Sequence, residues 1–191
     1  MSRVINKRKY FVPDTRKIEG DFSDVINRFI IFPLKDVDSL PLKTRQKISD
    51  ISSHAYGKGY CRFENAFKNV DQILLTIRNG KTIGAVSLSG KRIIRFGVGP
   101  CDLRKEVAIQ MLSRLKNKKP DIWLTAGINY PKIHKLLQES GFKICNEKNE
   151  IQKHFPGRDL IFYEDGRGSL SFTKPSRTTG HPEGYKQYLF Y

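Results

Sequence analysis

The run "QILLTIRNGKTIGAVSLSG", residues 72–90, constrains this chain more than any other stretch. Apolar residues alternate on both sides of Asn79 and Gly80, a pair suited to the positive φ angles of a two-residue turn, so the run reads as a tight antiparallel hairpin. A hairpin needs a third layer to cover its apolar face, and the sequence supplies one. "KRIIRFGVGP" reads as a strand leading into "CDLRKEVAIQMLSRLKNKK", an amphipathic helix with Leu103, Val107, Met111 and Leu115 on one side.

The alternation continues. "DIWLTAGI" reads as a buried strand, and "NYPKIHKLLQESGFK" as a short helix: Ile133, Leu136 and Leu137 form its apolar stripe, Pro131 suits its first turn, and Gly141 stops it. "GFKICN" reads as a following strand. Upstream, "INRFIIFPLKDVDSLP" holds a strand and a Pro-bounded turn, and "LKTRQKISDIS" a helix. "SHAYGKGYCRFENAF" lacks periodicity and reads as a surface loop or broken helix. From residue 29 the order is therefore β, α, loop, β, β, β, α, β, α, β, which implies an α/β fold with a mixed sheet covered by helices.

Composition fixes the physical class. Hydrophobic residues make up 38% and charged residues 28% of 191 residues, as expected of one domain able to bury a core. No run approaches the roughly 20 apolar residues of a membrane span. The start, "MSRVINKRKYFVPD", is basic without an apolar stretch after it, so the chain reads as cytoplasmic. Cys61, Cys101 and Cys145 are scattered, odd in number and without a CxxC pair, and so read as reduced thiols. His54, His134, His154 and His181 have no metal-ligand spacing, and His134 reads as lying on the outer face of its helix.

Charge gives the first functional direction. Thirty-five Lys and Arg against nineteen Asp and Glu leave +16, which favours a polyanionic partner, nucleic acid being the commonest. A generally basic soluble protein is the plainer alternative. The basic groups cluster in "NKRKY", "KTRQK", "GKRIIR" and "RLKNKK", several beside aromatic or glycine-rich segments that suit phosphate contacts with stacking platforms nearby.

The order of elements resembles the GNAT acyltransferase superfamily over roughly residues 29–145, with "YKQYLFY" as the last strand. "LLTIRNGKTIGAVSLSG" is similar to that family's second and third strands. "VGPCDLRKEVAIQML" resembles the segment that begins Val-x-Pro and enters the CoA-binding helix, and "IHKLLQESGFK" the helix that ends in Gly-Phe before the sixth strand. The resemblance implies a GNAT-like mixed twisted sheet flanked by helices over residues 26–191, with a C-terminal insertion and final strand, preceded by a basic arm over residues 1–25. It implies acetyl-CoA, or another acyl-CoA, as cofactor.

The chain also departs from that pattern. After Val-x-Pro the family carries a glycine-rich pyrophosphate loop; here the aligned residues are Leu103, Arg104, Lys105, Glu106, Val107 and Ala108, of which only Ala108 fits. Arg104 and Lys105 would replace amide contacts by side-chain charge, whereas Glu106 would face an anion. Either the CoA site is unusual or it is no longer used. Leu137 stands where many relatives have a tyrosine that protonates the leaving thiolate.

"SHAYGKGY", "AVSLSG" and "GYKQYLFY" further resemble the Mom-like phage proteins that modify adenine in DNA on a GNAT-type scaffold. On these resemblances Gly97, Val98 and Gly99 line the acyl-CoA site with Arg104, Lys105, Ala108 and Tyr130; strand kinks or a bulge would equally account for the two glycines. His54 and Tyr56, in a loop over the acceptor side, are acid/base or substrate-contact candidates, and a histidine of pKa about 6.5 suits that role. Ser87 and Ser89 share one strand face; Ser89 joins the catalytic candidates, although a polar strand half explains both. Tyr60 and Arg62 would stack on a base and hold a phosphate, or pack as ordinary loop residues. Arg177 and Lys186 belong to a tail, "RTTGHPEGYKQY", that resembles a substrate-side loop or forms a packed hairpin.

Three functions stand side by side: an acyl-CoA-dependent transferase acting on an amine of a nucleic acid, with adenine in DNA foremost and RNA as the other polymer; an N-acetyltransferase for a protein amine or an aminoacyl-tRNA; and a catalytically silent fold that binds nucleic acid or an acidic protein. The oligomeric state is not legible in the sequence.

Overall fold

The structure, a computed structural model, describes residues 27–33, 40–56, 67, 69–101, 103–174 and 185–191. β1 (Asn27–Pro33) leads to α1 (Leu42–Tyr56), then to β2 (Gln72–Arg78), β3 (Lys81–Ser89) and β4 (Arg92–Val98). α2 (Arg104–Lys118), β5 (Leu124–Gly127), α3 (Pro131–Glu139) and α4 (Lys148–His154) follow, and β6 (Ile161–Glu164), β7 (Leu170–Lys174) and β8 (Tyr185–Phe190) complete the order. The strands form two four-stranded antiparallel sheets, β1-β2-β3-β4 and β5-β8-β7-β6. They meet at a parallel bridge, Arg92 to Trp123.

The hairpin forms as its sequence dictates. Asn79 (φ 50°) and Gly80 (φ 71°) both adopt the left-handed turn conformation. Alternation along β2 and β3 then divides the core. Leu74, Val86 and Leu88 pack under α2 with Val107, Met111, Leu112 and Leu115, in a cluster that also takes Leu137 of α3 and Leu124, Tyr188 and Phe190 of the second sheet. Ile73, Leu75 and Ala85, on the opposite face, pack against Ile48 and Ile51 of α1. On the same side of the second sheet, Phe172 and Leu189 are covered by Ile151 and Phe155 around α4. Cores on both faces of a sheet are what an α/β layer fold requires.

Three expectations change. "GFKICN" makes only an isolated bridge, Ile144 to Phe190, because β8 divides one of its edges: β7 pairs with Tyr185–Gln187, and Lys143 and Cys145 bond to Tyr191 and Leu189. The helix holding "LKTRQKISDIS" runs on through Tyr56, so His54 and Tyr56 have helical backbone instead of loop; their side chains lie outside the described residues. Residues 146–174, without assigned elements in the sequence reading, carry α4, β6 and β7. No helix among the described residues is long and apolar enough to cross a membrane.

Candidate active site

The site begins where the two sheets part. Ile93 N–H donates to the Trp123 carbonyl at 2.8 Å and Trp123 N–H to the Lys91 carbonyl at 2.9 Å, so β4 and β5 start side by side and parallel. β5 then takes β8 as its partner, from Leu124–Phe190 to Gly127–Gln187, while β4 stays on β3 from Arg92–Ser89 to Val98–Gly84. The strands diverge, and a cleft opens between Val98–Gly99 on one lip and Gly127–Ile128 on the other.

Register determines what the first lip presents. Gly99 N–H donates to the Ile83 carbonyl at 2.8 Å. In an antiparallel ladder, bonded and non-bonded pairs alternate, so Val98, opposite Gly84, directs its N–H away from β3 and toward the cleft. Gly97 pairs with Ala85 without a register break, and the irregularity in this pair of strands falls between Ser87 and Leu88, so neither glycine marks a bulge. A methyl at Gly99 would touch Ile51 and the Ile83 carbonyl only at ordinary contact distance, 3.6 Å. Internal packing therefore does not demand a glycine there.

The other lip is held by α3. Gly127 O accepts from Tyr130 N–H at 3.2 Å and lies 2.8 Å from His134 Nε2. His134 is buried, with its ring 5.2 Å from Tyr188 and 5.5 Å from Phe190, so the placement on the outer helix face is corrected: it faces inward to reach a strand-end carbonyl. Tyr130 is 62% exposed at the start of α3, with its ring edge against Gly127. Ile128 N–H donates to the Lys186 carbonyl at 3.2 Å, which brings Lys186 to the same lip; its ammonium lies 4.4 Å from the Tyr163 ring.

α2 starts beyond the first lip. Leu103 is its N-cap without a side-chain bond, leaving the first-turn amides without that partner, and Glu106 lies in the same turn. Arg104 and Lys105 are exposed, but Lys105 pairs with Glu139 at 2.9 Å across α3. Ala108 is buried in the core, where it packs under the sheet.

The fold thus gathers Gly97, Val98, Gly99, Arg104, Lys105, Tyr130 and Lys186 around the divergence. It does not bring Ser89 there: Ser89 pairs with Arg92 at the closed end of the strands, four residues from Ala85, about 13 Å at the rise of a strand. Ser87 is buried on the α1 face, and Leu137 is wholly buried in the core. Tyr60, Arg62 and Arg177 lie outside the described residues, as do residues 1–25. Gly127 and His134 were missed as lip residues; the signal available was a glycine shortly before a Pro-initiated helix. Among the described residues no three His, Cys, Asp or Glu side chains converge as a metal site.

No protein-family model and no curated protein sequence matches the chain. Solved structures do match it. The ribosomal-protein-S18-alanine N-acetyltransferase of Escherichia coli is 11% identical over 85% of this chain and 92% of that one, with a TM-score of 0.50. A GNAT family acetyltransferase from Elizabethkingia anophelis with acetyl-CoA bound is 16% identical over 85% and 95%, with a TM-score of 0.49. The aminoglycoside 6'-N-acetyltransferase of Enterococcus faecium is 7% identical over 84% and 94%, also at 0.49. At these identities the likeness is one of architecture: the chain has a GNAT-like α/β fold.

Proposed function

We propose that the protein is an acyl-CoA-dependent N-acyltransferase whose acceptor is an amine of a nucleic acid, foremost the exocyclic amine of adenine in DNA, as in Mom-like modification. The observation that carries the acyl-transfer reading is the divergence of β4 from β5, which leaves the Val98 amide facing a cleft. A fixed N–H at that place is an oxyanion donor for a thioester carbonyl. The residues fit the cofactor unevenly. Val98 and the lips suit the thioester end; Arg104, Lys105 and the first amides of α2 supply the positive end for a pyrophosphate, in place of a glycine-rich loop. His54 and Tyr56 are assigned to removing the amine proton and contacting the acceptor. Tyr60, Arg62, Arg177 and Lys186 are assigned to the nucleic acid, the charge of +16 being their support. A base in a duplex is out of reach of such a cleft, so the target is flipped or single-stranded.

A specific observation favours a second reading. Glu106 in the first turn of α2 and the commitment of Lys105 to Glu139 both weaken a pyrophosphate site, as expected of a fold that binds nucleic acid without transferring an acyl group. Two measurements separate the readings. Nucleosides from plasmid recovered from expressing cells gain an acyl mass if the first holds, and lose that gain with His54→Ala/Tyr56→Phe. Acetyl-CoA raises the melting temperature of a transferase and leaves that of a silent binder unchanged. Stabilisation by acetyl-CoA with unmodified DNA would move the acceptor to a protein amine or an aminoacyl-tRNA.

A further inference from the structure

Away from the lips, Arg92 opens β4 at the bridge between the sheets, with its guanidinium 5.2 Å from the centre of the Trp123 ring and 5.9 Å from that of Phe155. Rings do not complete its hydrogen bonding: Nε is shielded from solvent and has no hydrogen-bond partner among the described residues. Phe155 packs 4.9 Å from Phe172, and Lys174 lies two residues beyond Phe172 on the same face of β7. Burial, followed by the charges of Arg92 and Arg158, holds the Lys174 ammonium below its usual value; burial and then Arg158 act on Arg92 in the same sense. The charges acting on both are therefore positive. Lys91, Lys105 and Lys153 have carboxylate partners, whereas none of these three is ion-paired among the described residues. Asp159, beside Arg158 in sequence, is exposed. Arg92 and Lys174 are half-buried and Arg158 is exposed. With none of the three ion-paired to a carboxylate among the described residues, the two half-buried cations carry a desolvation cost that an incoming anion relieves.

We infer that Arg92, Arg158 and Lys174 form a binding site for a phosphate group on the α4 side of the second sheet, beside the point where the sheets part, and that its source is the backbone of a single-stranded nucleic acid. The choice of source rests on the nucleic-acid reading above; the phosphate site itself does not. It is separate from the start of α2, because α2 and α3 cover the opposite face.

Trp123 is the only tryptophan of the chain and touches Arg92, so its fluorescence reports occupancy. The full chain, without acyl-CoA, is titrated with a single-stranded oligodeoxynucleotide and, separately, with inorganic pyrophosphate. The oligonucleotide is expected to give a saturable change. Arg158→Gln/Lys174→Gln is expected to weaken it about tenfold or more and to flatten the salt dependence by about 0.7 per lost contact. The pair Lys81→Gln/Lys118→Gln, which removes the same charge from exposed positions elsewhere, is expected to stay within about threefold, since exposed single charges act weakly. Equal losses in the two pairs would overturn the site, as would oligonucleotide binding, seen by anisotropy, that leaves Trp123 unchanged. Saturation by pyrophosphate alone, lost in the first pair, would keep the phosphate site and overturn the polymer source. Failure of acetyl-CoA to bind would sink the transferase and leave this site standing.

Discussion

His134 Nε2 lies 2.8 Å from the carbonyl oxygen of Gly127, and this contact ties the buried side of α3 to the end of β5. The imidazole N–H donates. His134→Ala leaves Gly127 O with the Tyr130 amide alone and opens space beside Tyr188 and Phe190. The expected cost is about 1–3 kcal/mol, read in denaturant unfolding. Because Gly127 forms a cleft lip, the variant should also raise the KM for acyl-CoA more than it lowers kcat. A KM equal to that of the parent would show that the lip does not shape the cofactor site.

Gly127→Ala tests the same lip from the other side. A Cβ there would sit 3.0 Å from two edge carbons of the Tyr130 ring, closer than such contacts normally allow. The ring is largely exposed and can swing away, so the expected loss of stability is under about 1 kcal/mol, as for surface changes generally. The displaced ring leaves the cleft mouth, and weaker acyl-CoA binding in calorimetry is the expected result.

His154 gives the protein an acid sensitivity with a defined sign. Its ring is 4.4 Å from Trp123, and burial, reinforced by Lys153 and opposed by Glu150, lowers its pKa below the free value. The unfolded chain then binds the proton more readily than the fold does. Stability is complete above about pH 6.5 and is lost as pH falls through the lower folded value. Trp123 fluorescence and melting temperature should fall together with a midpoint below about 6.5. In His154→Gln that step should disappear; its persistence would assign it to another titratable group.

The cysteines should differ in reactivity. Cys145 is wholly buried, and burial first of all raises its pKa, so little thiolate forms. Cys101 is half-buried in the connection between β4 and α2. Brief alkylation of the native protein followed by peptide mass mapping should label Cys101 and spare Cys145 until denaturant is added. Labelling of Cys145 at the rate of Cys101 would show that the α4 core opens readily.

Legibility in the sequence followed the range of the determinant. The hairpin was readable because Asn79-Gly80 and the flanking alternation are local, and α2 and α3 because an apolar stripe repeats within each helix. The stripe Ile133, Leu136, Leu137 nonetheless hid His134, which lies three residues before Leu137 and so shares its buried side; its partner is a carbonyl of another element, and spacing carries no trace of that. β6 and β7 are four and five residues long, too short for a period to emerge. Gly97, Gly99 and Tyr130 stood out in the sequence, and they lie at the ends of β4 and β5 where the two sheets part. The group of Arg92, Arg158 and Lys174 was not legible, since two strands and the connection between α4 and β6 supply it, and they meet only after the second sheet has formed.

The placement of β8 between β5 and β7 sets an order of assembly. β2, β3 and β4 join through tight connections and can pair while the rest of the chain is still loose, whereas β5 must hold its place until residues 185–190 arrive. Closing so long a loop costs entropy before any contact repays it. The first sheet is thus the natural nucleus and the second a late arrival. Weakening β3 should slow refolding, weakening β8 should chiefly hasten unfolding, and one jaw of the cleft exists before the other.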